Sequence, residues 1–404
     1  MMRVSRATFP LLSISSTFFS TTVFSCRVPS ALQHPHCTSS YSTASSNNPH
    51  SFTYRLAASF SGKDTYYKPK SDTYTFSPSR PSHKHYNHRK TSTRANSGQD
   101  AFFITSVGSI ESGTVAFGIA DGVGGWMDSG VDPATFSHGL CHYMSSLAES
   151  TDPTNIASLR PATLLQEAYD NVTNDPQIHA GGSTACLAIA HPSGQIQVAN
   201  LGDSGFVHLR PGKVHYTSTP QTHAFNTPYQ LSLVPAAMQA QSKAFGGEML
   251  QDTPQDAETT HHTVRHGDIL IFASDGVWDN LSPADILTTT SQYMTQFHAW
   301  PTPEENSTSE SEPPKPPNNP EPQSLLNKLT LDGGIPTPDR NLQAALAIAI
   351  TGEAKIASLD KQRDGPFARE VQRYYPGEEW RGGKVDDVCV VVGVVVENGR
   401  GEGI

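Results

Sequence analysis

Short apolar runs separated by polar turns fill the middle of this chain, and their spacing predicts a β-rich core covered by helices. Phe102-Phe103-Ile104-Thr105-Ser106-Val107 and Val115 to Ala120 flank a Gly/Ser/Glu turn, which predicts a β-hairpin. Asp132-Pro133 offers a helix cap with proline at the first helical position. Phe136, Leu140, Tyr143, Met144 and Leu147 then recur at helical spacing, so 133–149 is predicted as an amphipathic helix lying on a sheet. A second helix at about 161–172 places Leu164, Leu165, Ala168 and Val172 on one side. Residues 182–217 read as a β-meander: Ser183 to Ala190, Gln195 to Leu201, Gly205 to Arg210 and Val214 to Thr217, joined by tight turns that imply antiparallel pairing. Residues 218–262 have little periodicity and predict a long surface excursion. Ser282-Pro283 caps a further helix whose apolar face begins at Ile286 and Leu287, Asn341 to Leu359 is a helix rich in Ala, Leu and Ile, and Val388 to Val396 is a buried strand. Phe52 to Ala58 is a candidate first strand with no assigned place in a sheet.

Acids stand where several of these runs stop. The run Ala116 to Ala120 ends in Asp121-Gly122-Val123-Gly124-Gly125-Trp126, the run Ile269 to Ser274 ends in Asp275-Gly276-Val277-Trp278, and Asp386-Asp387 directly precede the last strand. A further acid, Asp203, sits between two strands in Gly202-Asp203-Ser204-Gly205. Taken singly, each Asp-Gly is a turn dipeptide. As a set at strand ends, the carboxylates of Asp121, Asp275 and Asp386 gather at one edge if their strands lie antiparallel. Oxygen ligands without His or thiolate select hard cations, Mg²⁺ or Mn²⁺. Carboxylates clustered without a cation repel one another and take up protons, so a filled site is the expectation. Two such ions about 4 Å apart lower the pKa of a bridging water and neutralise a phosphoryl group under in-line attack.

Charge divides the chain. The net charge is -10, yet residues 1–99 hold 12 Lys/Arg against only Asp64 and Asp72, and the remainder carries 16 basic against 36 acidic residues. An acidic body argues against nucleic acid as a partner and suits a site that collects cations. Before Asp64, Arg3, Arg6, Arg27 and Arg55 lie among many Ser and Thr, the composition of a mitochondrial transit peptide, assigned to 1–48 with a folded domain over 49–404. Phe9 to Val28 is too rich in hydroxyls for a membrane span, and no integral span is expected. Residues 61–98 read as a polar basic loop in which Lys84, Arg89 and Lys90 oppose a metal reading of His83, His85 and His88. Residues 301–340 read as a disordered insertion rich in Pro, Glu and Ser. Five cysteines at 26, 37, 141, 186 and 389 have no paired spacing, so neither a disulfide framework nor a zinc knuckle is indicated, and Cys141, Cys186 and Cys389 read as buried thiols.

The segments GQDAFF (98–103), GIADGVGGW (118–126), GGSTACLAI (181–189), ANLGDSGFV (199–207), LIFASDGVWDN (270–280) and GGKVDDVCVVV (382–392) resemble, in this order, the motifs of metal-dependent protein phosphatases of the 2C type. The Asp-Gly-Val-Gly-Gly-Trp form, with Pro228-Tyr229-Gln230-Leu231, resembles the mitochondrial branch of that family. The resemblance implies an α+β fold: a four-layer α/β/β/α sandwich of two packed antiparallel sheets flanked by helices, with two Mn²⁺ or Mg²⁺ ions at one end. It implies that Asp121 bridges both ions, Gly122 supplies a carbonyl to one, and Asp275 and Asp386 are ligands of the other. Asp100 matches an acid that holds bound water, Asp203 an acid associated with a weaker third ion, and Asp387 stands beside the ligand where many relatives have Asn. Arg94 lies near the place of a phosphate-binding arginine. In two places the chain departs from the family pattern. Gln99 replaces a Glu beside the first motif acid, and Val123 stands where many relatives have a His thought to protonate the leaving group.

The function these features imply is a mitochondrial matrix protein serine/threonine phosphatase, a monomer acting on phosphorylated proteins by direct attack of a hydroxide bridging two ions. Two rivals follow from the same residues. Gln99 and Val123 motivate a catalytically weak scaffold that binds phosphoproteins, and the acid cluster alone would also serve a hydrolase of small phosphoesters or nucleic acid.

Overall fold

The computed structural model describes residues 51–77, 94–244, 250–301, 322–331 and 341–398. Strand β1 (Phe52–Ser61) is followed by the short β2 (Thr73–Thr75), which returns beside it. The predicted hairpin is β3 (Asp100–Ser106) and β4 (Val115–Asp121), and the two predicted helices are α1 (Pro133–Glu149) and α2 (Pro161–Asn174). Asp132 caps α1 by accepting a hydrogen bond from the Ala134 N–H, as the sequence predicts. Next come β5 (Gly181–Ser183), β6 (Ala185–Ala190), β7 (Gln195–Leu201), β8 (Gly205–Arg210) and β9 (Lys213–Thr217). The excursion that follows holds β10 (Thr222–Ala224), β11 (Thr227–Pro228), β12 (Leu231–Leu233), α3 (Ala236–Ala244) and β13 (Glu258–Thr263). Strand β14 (Ile269–Ala273), the one-turn α4 (Asp275–Trp278) and α5 (Pro283–Gln296) come before α6 (Pro322–Thr330), α7 (Leu342–Leu359), α8 (Pro366–Tyr374) and β15 (Val388–Glu397).

Two sheets carry the fold, one of order β2-β1-β15-β14-β8-β9 and one of order β13-β7-β6-β4-β3, with antiparallel pairing throughout. Successive side chains of a strand point to opposite faces, and β15 is buried on both. Cys389, Val391 and Val395 enter the core between the sheets with Phe60, Phe117, Phe206 and Phe272, while Val388, Val390, Val392, Val394 and Val396 meet Leu342, Leu346 and Ile350 of α7. On the far side, Phe103, Ala120 and Leu187 of the five-stranded sheet pack on Phe136, Leu140 and Met144 of α1 and Leu164 and Leu165 of α2. This is the α/β/β/α sandwich expected. Helix α7 is long and apolar enough to cross a membrane by composition, but 67% of that stretch is buried in the protein, where it covers the sheet.

Four expectations change. The meander over 182–217 is split, because β6 and β7 pair in one sheet whereas β8 and β9 pair in the other. Chain crossing occurs at Gly202, whose φ of 101° and close approach to Thr184 and the Tyr229 carbonyl suit glycine alone. The excursion over 218–262 contains β13, which lies along β7 as an edge strand; its sequence Glu-Thr-Thr-His-His-Thr has no apolar alternation to announce it. The 301–340 insertion contains α6, held by buried Leu326 and Leu329; residues 302–321 and 332–340 lie outside the described set. In the 61–98 loop, Asp72, Phe76 and Ala95 are buried and the Lys68 N–H donates to the Asp72 carboxylate at 2.7 Å. Residues 1–48 with Cys26 and Cys37, and residues 78–93 with His83, His85 and His88, also lie outside the described set.

Candidate active site

Register brings the first two acids together. Asp100 opens β3 directly opposite Asp121 at the end of β4. The backbone of Asp121 is pinned by the Gly-Gly-Ser-Thr segment: its N–H donates to Thr184 Oγ1 at 3.1 Å, and its carbonyl accepts from the Thr184 N–H at 2.9 Å and from Ser183 Oγ at 2.8 Å. Thr184 Oγ1 and Ser204 Oγ lie 2.8 Å apart, which ties this support to the turn carrying Asp203. The other sheet supplies the remaining acids. β14 and β15 are antiparallel neighbours, so Asp275, beyond the end of one, meets Asp386, just before the start of the other. Ser274 joins the sheets, donating from Oγ to Asp100 Oδ2 at 2.6 Å while accepting the Cys389 N–H at 3.1 Å.

Asp387 has a holding role. Its two carboxylate oxygens accept the Lys63 N–H at 2.6 Å and the Gln99 N–H at 2.8 Å, fixing the loops on either side of the site. Glycine is required on both flanks: a Cβ on Gly98, at φ 68°, would fall 2.0 Å from the Asp387 carboxylate, and one on Gly276 would fall 1.8 Å from the Asp387 carbonyl oxygen. The Gln99 side chain donates to Met127 Sδ at 2.9 Å, and the Gly122 N–H donates to the Gln99 carbonyl at 3.2 Å. Val123 packs with Trp126, Ala180 and Val234 and presents no acid. Arg94 is committed to α1, donating to Asp132 Oδ2 at 2.8 Å and to Thr135 Oγ1 at 3.1 Å. Burial, aided by Arg94, lowers the pKa of His138 to about 3, so this imidazole is neutral and no proton donor near pH 7.

Two groups at the centre escape the sequence reading. Asp279 lies one helical turn after Asp275, a spacing that places both on one helix face. Lys384 precedes Asp386 by two residues in the loop that leads into β15. Its Nζ lies 2.5 Å from Asp275 Oδ2, 2.7 Å from Asp279 Oδ2 and 3.3 Å from Asp386 Oδ2. Asn280 holds it there, donating from Nδ2 to the Gly276 and Lys384 carbonyls at 2.9 and 2.8 Å and accepting the Lys384 N–H at 3.0 Å. Asn280 is 1% exposed. Asn280→Ala should therefore lose about 3 kcal/mol of stability, near 1 kcal/mol per buried hydrogen bond. Urea denaturation reads the effect.

The electrostatics are those of crowded acids. Burial, then neighbouring carboxylates, holds Asp100, Asp121 and Asp203 well above the usual carboxylate range. Burial and Asp275 push Asp279 up to about 7 and raise Asp386. Burial would raise Asp275 as well, but the Lys384 ammonium, with hydrogen bonds from Lys384 and Asp121, outweighs it and leaves this carboxyl below its ordinary value. Lys384 itself is driven upward by its three acidic neighbours against the effect of burial. Asp100 Oδ1 is buried without a hydrogen-bond partner. A donor set made only of oxygens, mutually repelling, with one buried oxygen unsatisfied, fits Mg²⁺ or Mn²⁺. Among the described residues no three His, Cys, Asp or Glu side chains already stand in an ion-holding arrangement; the Lys384 ammonium occupies the space between three of them.

A groove of about 410 Å³ is lined in part by Asp203, Asp275 and Asp279. Its lining includes three aromatic rings, with Phe225 at 5.8 Å from Phe367 and 5.3 Å from Tyr374.

Comparison with known proteins gives consistent results. A family model described as protein phosphatase 2C matches residues 88–311. "Protein phosphatase 2C homolog 7, mitochondrial" of Saccharomyces cerevisiae is 30% identical over 358 residues, 87% of this chain and 84% of that protein. The "Protein phosphatase PTC7 homolog" of Xenopus laevis is 32% identical over 303 residues, 74% of this chain and 82% of that protein. Among solved structures, the photosystem II phosphatase PBCP superposes with a TM-score of 0.50 at 23% identity, covering 76% of this chain and 94% of that one, a likeness of fold.

Proposed function

The chain belongs to the protein phosphatase 2C family, and we propose that it is a mitochondrial serine/threonine phosphatase acting on phosphorylated proteins with two Mn²⁺ or Mg²⁺ ions. The observation that carries this reading is the convergence of Asp100, Asp121, Asp275 and Asp386 from two sheets on one end of the sandwich. Asp121, the Gly122 carbonyl, Asp275 and Asp386 would hold the ions, which when bound acidify water and neutralise phosphoryl charge. Asp100 brings an unsatisfied buried oxygen able to accept a hydrogen bond from water, and Asp203 flanks the same space beside Asp275 and Asp279. Asp387 and Asn280 keep the ligand loops in place by their hydrogen bonds to backbone. A mitochondrial address is supported by the composition of residues 1–48 and by the location in the S. cerevisiae relative's name. A protein substrate is supported by the groove of about 410 Å³ beside Asp203, Asp275 and Asp279, whose lining includes Phe225, Phe367 and Tyr374.

Hydrolysis rates on a phosphoserine peptide, a small aryl phosphate and an oligonucleotide, each with Mn²⁺, test the proposal. The expected result is a kcat/KM for the peptide that exceeds that for the aryl phosphate by at least tenfold, with no cleavage of the oligonucleotide. Absence of hydrolysis with retained phosphopeptide binding would instead support the scaffold reading.

A further inference from the structure

We propose that Lys384 is a resident counter-ion of the acid centre, an ammonium that divalent cations must displace from Asp275, Asp279 and Asp386 in order to bind. The inference rests on the cation-binding reading above and concerns what regulates that same site. Its basis is geometric. One Nζ makes three ion contacts, at 2.5, 2.7 and 3.3 Å, with three carboxylates from two separate segments. The placement is built: Asn280 grips both backbone groups of Lys384, and the ammonium sits 5.6 Å from the centre of the Phe367 ring. Gly383 lets the segment pack close beside it, since a Cβ there would lie 2.2 Å from the Ala357 carbonyl oxygen and 2.6 Å from Asn280 Oδ1.

An ammonium and a divalent ion cannot share the same carboxylate oxygens at contact distance, because the two positive charges would repel at that separation. Cation binding therefore includes breaking the Lys384 contacts, which lowers the affinity of the site. In the cation-free protein the same ammonium offsets the repulsion among the acids and keeps the end of the sandwich together. The lysine thus couples two properties that would otherwise be independent, the cation concentration at which the site fills and the stability of the protein when it is empty.

Replacing the charge while keeping the stem separates these effects. With full-length protein stripped by EDTA, Lys384→Met should bind Mn²⁺ at least tenfold more tightly by calorimetric titration. Its cation-free Tm should fall below that of the wild type, and its Mn²⁺-saturated Tm should not; Lys384→Arg should resemble the wild type in both. The wild-type chain gives an independent reading by amine acylation with mass spectrometry, where saturating Mn²⁺ should increase labelling of Lys384. Equal or weaker Mn²⁺ binding by Lys384→Met, or labelling of the wild type unchanged by Mn²⁺, overturns the proposal. If the wild type takes up no Mn²⁺, the cation-binding reading falls and this proposal with it, whereas uptake without these shifts overturns this proposal alone.

Discussion

Asp121→Asn should abolish phosphatase activity while leaving the cation-free protein as stable as the wild type or more so. The two halves of this expectation have one origin. Burial, then the neighbouring carboxylates of Asp100, Asp275 and Asp386, hold the Asp121 carboxyl well above the usual range. For such a group the folded pKa lies above the unfolded one, so its contribution to stability is present at low pH and lost as pH rises through the folded value. At pH 7.5 an amide of the same shape removes that penalty, and the backbone hydrogen bonds to Thr184 and Ser183 are untouched. Activity should nevertheless fall by about 10²–10³-fold or more, the loss that accompanies removal of one preorganised group at a reacting centre. Thermal melts with EDTA and phosphopeptide assays with Mn²⁺ check the pair; activity retained within tenfold would remove Asp121 from the proposed ligand set.

Gly276→Ala should be the most destabilising single-methyl change in the site. The added Cβ would fall 1.8 Å from the Asp387 carbonyl oxygen, and the obstacle is backbone in the loop that leads into β15. Neither side can yield cheaply. Gly276 follows Asp275 in α4, and Asp387 is held through both carboxylate oxygens by the Lys63 and Gln99 N–H groups. Relief requires shifting α4 or the start of the central strand, so a loss of about 3 kcal/mol or more is expected, at the upper end for overpacking. Gly125→Ala is the control, because nothing lies within 4 Å of a Cβ there. Urea unfolding of the two variants should show a lowered midpoint with unchanged slope for the first and a wild-type midpoint for the second.

How much of this was visible in the sequence depends on whether a feature is local or relational. Helix α1 was legible to the residue, because its cap, its N1 proline and its apolar stripe all lie within the segment. The carboxylate set was legible because each acid closes or precedes an apolar run. The partition of β6–β7 and β8–β9 between sheets was not, since every strand alternates in the same way whichever neighbour it takes. Strand β13 was hidden because an edge strand needs no apolar face, and α6 because three leucines in a polar stretch make a weak signal. Lys384 belongs to a third kind. Its identity and its distance from Asp386 are plain in the sequence, but its meeting with Asp275 and Asp279 follows only from the fold.

The pairing of β1 with β15 has a bearing on how the molecule is made. All ten residues from Phe52 to Ser61 pair with the ten from Glu397 back to Val388, so the first and last strands among the described residues are partners. Contacts so distant along the chain slow folding, because loop closure precedes any reward from pairing. Until β15 arrives, β1–β2 and β14–β8–β9 are separate pieces with apolar faces uncovered, the condition in which long chains aggregate. The acid centre shares this delay, since Asp386 and Asp387 reach Asp275 and Gln99 only when β15 docks. Assembly of the candidate site therefore waits on the pairing of β15, the step that joins the two halves of the six-stranded sheet.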